Sequence, residues 1–171
     1  VCILNIGGIA NITIVSSKDF NDLKSYDIGP GNCLLDEWIR KNSKKKFDKN
    51  GELAKVGKTD EIILNQAIDN HESIKKKDKL SFDIKDFDLN FVRGLSLENG
   101  LSTLTDFTAS IIYNSILTSV ELKKGTKLNI LICGGGRKNL TLVDNIKNKL
   151  PTNMNISLID DYKVNGDFVE S

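Results

Sequence analysis

The chain has 171 residues, 39% of them hydrophobic and 27% charged, with 24 basic against 23 acidic side chains and a net charge of +1. That length fits one domain, burying roughly 70% of the surface its unfolded chain exposes. The charge balance leaves no electrostatic footprint for nucleic acid or a membrane surface, and no apolar run approaches the ~20 residues of a membrane span.

The chain opens on two apolar runs, residues 2–6 and 9–15, joined at Gly7-Gly8. This pattern predicts a β-hairpin with a type I′ turn, which needs positive φ at both central residues. Ser25 to Ile28 reads as a third strand, running into Gly29-Pro30-Gly31-Asn32. A helix then extends to about Lys41, with Leu34, Leu35, Trp38 and Ile39 on one face and Asn32 as its N-cap. Residues 42–57 are polar and turn-rich. Thr59 to Asn70 predicts a short helix, and residues 71–99 an irregular, charged stretch in which Phe82, Phe87, Leu89, Phe91 and Val92 must find burial. The whole of 42–99 reads as an insertion around a site. A long helix is expected from Leu101 to about Leu122, then a strand at Leu128–Cys133, a glycine turn, a helix from about Asn139 to Lys149 and a strand at Ile156–Ile159. A hairpin followed by strand–helix units predicts an α/β domain with a mixed sheet flanked by helices.

Cys2, Cys33 and Cys133 are odd in number, far apart and without metal-ligand spacing, which reads as three partly buried thiols in a reducing cytosol. His71 sits in a polar stretch and reads as a surface residue. Lys44–Lys46 and Lys75–Lys77 read as solvated loop charges. The first residues lack an initiator methionine and any signal-peptide pattern, and the last stop where a helix is about to begin, so the chain reads as a fragment.

Chemistry concentrates at the glycine turns. Glycine lets backbone amides approach an anion closely, and a helix N-terminus adds partial positive charge. Gly7-Gly8 is flanked by Asn5 and Asn11, whose amides can bond a polar ligand; a plain hairpin turn is the competing reading. Asp27 ends a strand directly before the glycines, where a carboxylate can take a proton from an attacking hydroxyl or water while the Gly29 and Gly31 amides face anionic oxygens. An Asp that merely turns the chain is the alternative. Gly134-Gly135-Gly136 lacks both the Walker lysine pattern and the dinucleotide spacing, yet three consecutive glycines invite close approach of a ligand or of backbone. Asp106 lies away from the apolar stripe of its helix, as a surface carboxylate would.

Taken together, Asn5–Thr13, Asp27–Trp38, Asp48-Lys49-Asn50-Gly51 and Cys133–Asn139 resemble, in order and spacing, the anhydro-N-acetylmuramic acid kinases. The resemblance implies a ribonuclease-H-like lobe of the actin/hexokinase/Hsp70-like (ASKHA) fold, this chain (1–171) being the second, C-terminal nucleotide-binding lobe with the N-terminal lobe absent. It implies a cytoplasmic kinase that uses ATP and Mg²⁺ to hydrolyse the 1,6-anhydro bridge of anhydro-N-acetylmuramic acid and phosphorylate O6, with a homodimer as the assembly. It places the general base on Asp27, sugar contacts on Asn32 and Asp106, and nucleotide contacts on Asn5, Gly7, Gly8, Asn11, Gly29, Gly31, Gly134, Gly135, Gly136 and Asn139; it assigns no metal ligands. The family's first phosphate loop, Gly-Thr-Ser-x-Asp-Gly, is absent from these residues, so the 171 residues by themselves are expected to be inactive. A non-catalytic nucleotide-binding or regulatory lobe is the alternative.

Overall fold

A computed structural model describes residues 1–15, 22–75, 82–119 and 127–169. Five strands form one sheet: β1 (Cys2–Ile6), β2 (Ile9–Val15), β3 (Leu23–Pro30), β4 (Leu128–Cys133) and β5 (Met154–Leu158), in the order β3-β2-β1-β4-β5. β1, β2 and β3 pair antiparallel, whereas β4 pairs parallel to β1 and β5 parallel to β4. Period-2 burial makes this sheet one-sided. Cys2, Leu4 and Ile6 of β1 and Ala10, Ile12 and Ile14 of β2 are buried while their neighbours are half-exposed, as strands require when one face meets a core.

The helices are α1 (Cys33–Asn42), α2 (Glu52–Val56), α3 (Glu61–Lys75), α4 (Leu97–Ser119) and α5 (Leu140–Lys149). α4 and α5 cover the sheet. Ala109, Ile112 and Ile116 of α4 and Leu142, Val143 and Ile146 of α5 pack with the inward strand residues in one apolar cluster. Each fully buried Ile or Leu there contributes about 1.5–3 kcal/mol relative to exposure. A second cluster lies on the far side of α4, where Leu34, Leu35, Trp38 and Ile39 of α1 meet Leu64 and Ala67 of α3, Leu89 and Val92. The stretch read as an insertion is therefore packed against α1 and α4. α1 and α4 cross closely because position 100 is glycine: a Cβ there would lie 2.5 Å from the Trp38 ring, whose Nε1 donates to the Leu97 carbonyl at 3.0 Å.

Several features differ from the sequence expectation: β3 runs from Leu23 to Pro30, past Asp27 and Ile28, and α4 starts at Leu97. α2 falls in a stretch read as turns, and α3 runs five residues past Asn70. The Gly7-Gly8 turn is a hairpin, but neither glycine has positive φ; Ile6 pairs with Ala10 across a three-residue loop. The expected extension of α4 to Leu122 and the charge run at Lys76-Lys77 lie outside the described residues. Among the described residues no helix is long and apolar enough to cross a membrane.

Candidate functional site

β1, β3 and β4 run in the same direction, so their carboxyl ends share one edge of the sheet. That edge gathers Ile6-Gly7-Gly8, Asp27–Gly31 and Gly134–Asn139. Open α/β sheets bind ligands at this edge, where strands hand over to turns and helices.

Asp27 is half-buried and held from two sides. Asn11 Nδ2 donates to its Oδ1 at 3.1 Å, and the Phe82 backbone N–H donates to its Oδ2 at 3.1 Å. Asn11 is itself fixed by Ser25, whose hydroxyl donates to Asn11 Oδ1 at 3.2 Å. The register explains the pairing: Ala10 faces Gly29 but Asn11 faces Asp27, a β-bulge with Ile28 as the extra residue, and bulges re-aim side chains near sites.

The turn beside Asp27 departs from expectation. The amides of Gly31, Asn32 and Cys33 donate to the carbonyls of Gly8, Gly7 and Gly8 at 2.9, 2.8 and 3.1 Å. The Gly31 amide is thus engaged by backbone and does not face an anion. Gly31 is glycine because a Cβ would lie 2.3 Å from the Gly7 carbonyl oxygen. Gly29 presses on α4, with a Cβ position 2.5 Å from Ile111 Cγ2. Asn32 precedes α1 but makes no side-chain cap; its Nδ2 donates to the Ile6 carbonyl at 3.4 Å instead.

The second glycine turn opens on a cavity of about 440 Å³, lined by Asn32, Leu35, Phe47, Asp48, Lys49, Asn50, Gly135, Lys138 and Asn139 among others. The three glycines differ in task. Gly134 has φ 77 and ψ 174, a region essentially reserved for glycine, and a Cβ there would lie 2.2 Å from Asn5 Oδ1. Gly136 is pressed against Ile6, at 2.3 Å. Gly135 meets nothing closer than Asn32 Nδ2 at 3.9 Å and faces the cavity. Asn139 Oδ1 caps α5, accepting the Leu142 N–H at 3.1 Å. Opposite, Asp48 accepts the Leu53 and Ala54 amides, both at 2.9 Å, and so caps α2 across the left-handed pair Asn50-Gly51.

Arg137 clamps this turn from behind. Its buried guanidinium donates to the Gly134 carbonyl at 2.9 Å, to both Asp160 oxygens at 2.8 and 3.1 Å, and to Asp167 Oδ1 at 2.7 Å. Lys138 pairs with the other Asp167 oxygen at 2.8 Å. Hydrogen bonds from Arg137 and Lys138 hold the Asp167 carboxyl down to about 2, and Arg137 likewise lowers Asp160.

Asp106 has partners that the sequence did not show, and the reading of His71 requires correction. Asp106 accepts from the Thr59 hydroxyl and from Asn145 Nδ2, the latter at 2.9 Å. Its carboxylate ties α4 to α5 and to the loop before α3. His71 is not on the surface: it is 6% exposed, in a nest of Phe82, Phe87 and Phe107. Its burial follows the spacing Leu64, Ala67, His71 on α3, a helical signal that its polar neighbours obscured. The three thiols are buried, and burial pushes Cys2 up to about 12 and Cys33 to about 11. Phe47, Asp48 and Arg137 were singled out for no role by the sequence; Phe47 and Asp48 line the cavity, and Arg137 is placed by Asp160 and Asp167, 23 and 30 residues away.

The sheet order, the parallel β1–β4–β5 set after an antiparallel hairpin, and the turns on one edge define a ribonuclease-H-like lobe of the actin/hexokinase/Hsp70-like type. A solved structure, the activator of the 2-hydroxyisocaproyl-CoA dehydratase from Clostridium difficile with bound ADPNP, is similar with a TM-score of 0.54 at 14% identity, over 97% of this chain and 55% of that one. The profile described as anhydro-N-acetylmuramic acid kinase matches residues 1–171, and the chain belongs to that family. Curated relatives of the same name come from Pelagibacter ubique, 62% identical over 99% of this chain, and from Zymomonas mobilis, 34% identical over all of it. The chain spans 45% of the length of each.

Proposed function

We propose that a full-length protein carrying this chain is an ATP-dependent sugar kinase acting on anhydro-N-acetylmuramic acid, in the cytoplasmic recycling of cell-wall sugars. In this reading Asp27 is the general base. It takes a proton from water as the water oxygen bonds to the anomeric carbon. The bond from that carbon to O6 breaks, leaving its electron pair on O6, which attacks the γ-phosphorus; the oxygen bridging to the β-phosphate departs with ADP, and the product is N-acetylmuramic acid 6-phosphate. The observation that carries the reading is the setting of Asp27, whose carboxylate is oriented through both oxygens at the carboxyl edge of the sheet. Positioning of this kind is what a base needs before its proton affinity matters.

The nucleotide is assigned to the 440 Å³ cavity, its adenosine against Leu35 and Phe47 and its phosphates toward Gly135, with Asn32, Asn5, Gly7 and Gly8 along the route to Asp27. Among the described residues no three His, Cys, Asp or Glu side chains gather closely enough to hold a metal ion. That fits Mg²⁺ arriving with the nucleotide, since Mg²⁺ keeps waters and takes phosphate oxygens plus one or two carboxylates; its chemistry is to neutralise charge on the phosphates. A homodimer completes the proposal.

Asp27→Asn in the full-length protein is expected to lower kcat by about 10²–10⁴-fold, the usual size of a general-base contribution, while leaving ATP affinity unchanged. A steady-state assay coupled to ADP release reads the first and calorimetry the second. An unaltered kcat overturns the assignment.

A further inference from the structure

The group that holds Asp27 from the far side is a backbone amide, and something must hold that amide. Phe82 lies 55 residues from Asp27 in sequence. It is placed by its ring, which is 6% exposed, stacks on His71 at 5.8 Å between centroids and meets the tilted Phe87 ring at 5.4 Å. His71 is the centre of the cluster: it stacks on Phe87 at 6.0 Å as well, and meets the Phe107 ring edge-on at 6.0 Å. The short segment between Phe82 and Phe87 is internally stiff. Asp83 accepts the Lys85 amide and donates its own to Asp86, at 3.0 and 2.8 Å. His71 also lies beside β3: a Cβ added at Gly29, two residues after Asp27, would sit 3.4 Å from His71 Nε2.

We propose that His71 is a positioning residue for Asp27, acting through the Phe82 amide. The proposal rests on the reading of Asp27 as the base. α3 carries His71 on its buried face, His71 sets the height of the Phe82 and Phe87 rings, and the Phe82 N–H then meets the outer oxygen of the carboxylate. Asn11 fixes the inner oxygen from β2, so the two donors together set the rotation of the carboxylate plane. Beside the rings is a cleft of about 550 Å³ lined by Phe87, Phe107, Phe91 and Asn70. It is room into which the 82–87 segment relaxes when the imidazole is removed, carrying its amide off the carboxylate.

The test is kinetic, in a full-length protein carrying this chain. His71→Ala is expected to lower kcat by about 10–100-fold, the cost of an ångström-scale misplacement, with KM for ATP unchanged because the nucleotide cavity shares none of these residues. His71→Phe keeps a flat ring in the stack and is expected to restore most of the rate. In a double-mutant cycle, His71→Ala adds little in a Phe82→Ala background, since both remove the same support. A purely structural role would instead lower the melting temperature without a kcat-specific loss or rescue by Phe. Should His71→Ala fail to fold, Phe82→Leu, which keeps apolar volume but not the stack, must show the same kcat-specific loss. Full kcat in His71→Ala, or in Phe82→Leu where that variant decides, overturns the proposal while leaving Asp27 as the base if Asp27→Asn is inactive. Full kcat in Asp27→Asn overturns both.

Discussion

Gly134 and Gly135 are neighbours with the same side chain, and the structure predicts opposite consequences for adding a methyl group. At Gly134 an alanine must adopt φ 77, ψ 174, which costs about 1–3 kcal/mol for a residue with a Cβ. The same Cβ would sit 2.2 Å from Asn5 Oδ1 and 2.7 Å from the Ile6 carbonyl oxygen. Backbone cannot swing aside as a side-chain tip can, so the overpacking adds about 1–3 kcal/mol. The sum, about 2–6 kcal/mol, is a large share of the 5–15 kcal/mol typical of a folded domain. At Gly135 the nearest atom is 3.9 Å away, so alanine there stays within about 0.5 kcal/mol of the parent and projects into the cavity. Urea unfolding followed by fluorescence of the single tryptophan, Trp38, which is 5% exposed, measures both. With a slope of about 2 kcal/mol/M, Gly134→Ala moves the midpoint down by about 1–3 M and Gly135→Ala leaves it in place while weakening ATP binding. A Gly134→Ala midpoint equal to that of the parent, or a Gly135→Ala midpoint lowered as far, refutes the division of tasks between the two residues.

Asp48→Ala removes the carboxylate that accepts two amides at the start of α2. It is expected to lower stability by about 1–2 kcal/mol in the same urea assay, whereas Asp48→Asn keeps part of the cap. The Arg137 clamp gives a pH dependence with a definite sign. Asp167 is held at about 2 in the folded state against about 3.9 unfolded, so its contribution to stability is present above pH ~4 and is lost as pH falls from ~4 through ~2. Asp167→Asn should therefore lower the melting temperature at pH 6, with the difference from the parent shrinking as pH falls through ~2 and vanishing below it; a difference that is as large at the lowest pH as at pH 6 removes the ion pair as its cause.

The legible parts of this fold are those whose cause is local. β1, β2 and β4 were readable to the residue because alternation and flanking glycines mark them without help from the rest of the chain. α2 was not, since five residues show no periodicity and its start depends on Asp48 reaching forward to amides at 53 and 54. Asp27 stood out by its place before Gly-Pro-Gly. Its partner Phe82 could not, because a backbone amide leaves no mark in sequence. His71 was recoverable from its spacing with Leu64 and Ala67, but the polar residues around it, Asn70 and Glu72, pulled the reading outward. The partners of Asp106 were not legible either: it lies off the apolar stripe, yet Asn145 and Thr59 arrive from 39 and 47 residues away to occupy both oxygens.

The geometry also separates two glycine turns that look alike in sequence. An unpaired helix N-terminus attracts anions because its first amides lack partners. In the turn leading into α1, the amides of Gly31, Asn32 and Cys33 already have partners in the Gly7 and Gly8 carbonyls. That corner is therefore a rigid mount: it fixes the end of β3 against the end of β1 and leaves Asp27 to be aimed by Asn11 and Phe82. The Gly134–Gly136 turn is built the other way. Gly134 and Gly136 are anchored on Asn5 and Ile6, which leaves Gly135 as the exposed backbone of the cavity wall. Both corners are hung on the same short stretch of β1, since Ile6 meets Gly136 on one side and accepts from Asn32 on the other. A change at Ile6 should thus disturb the base and the cavity together, whereas changes at Phe82 or Gly135 reach only one of them.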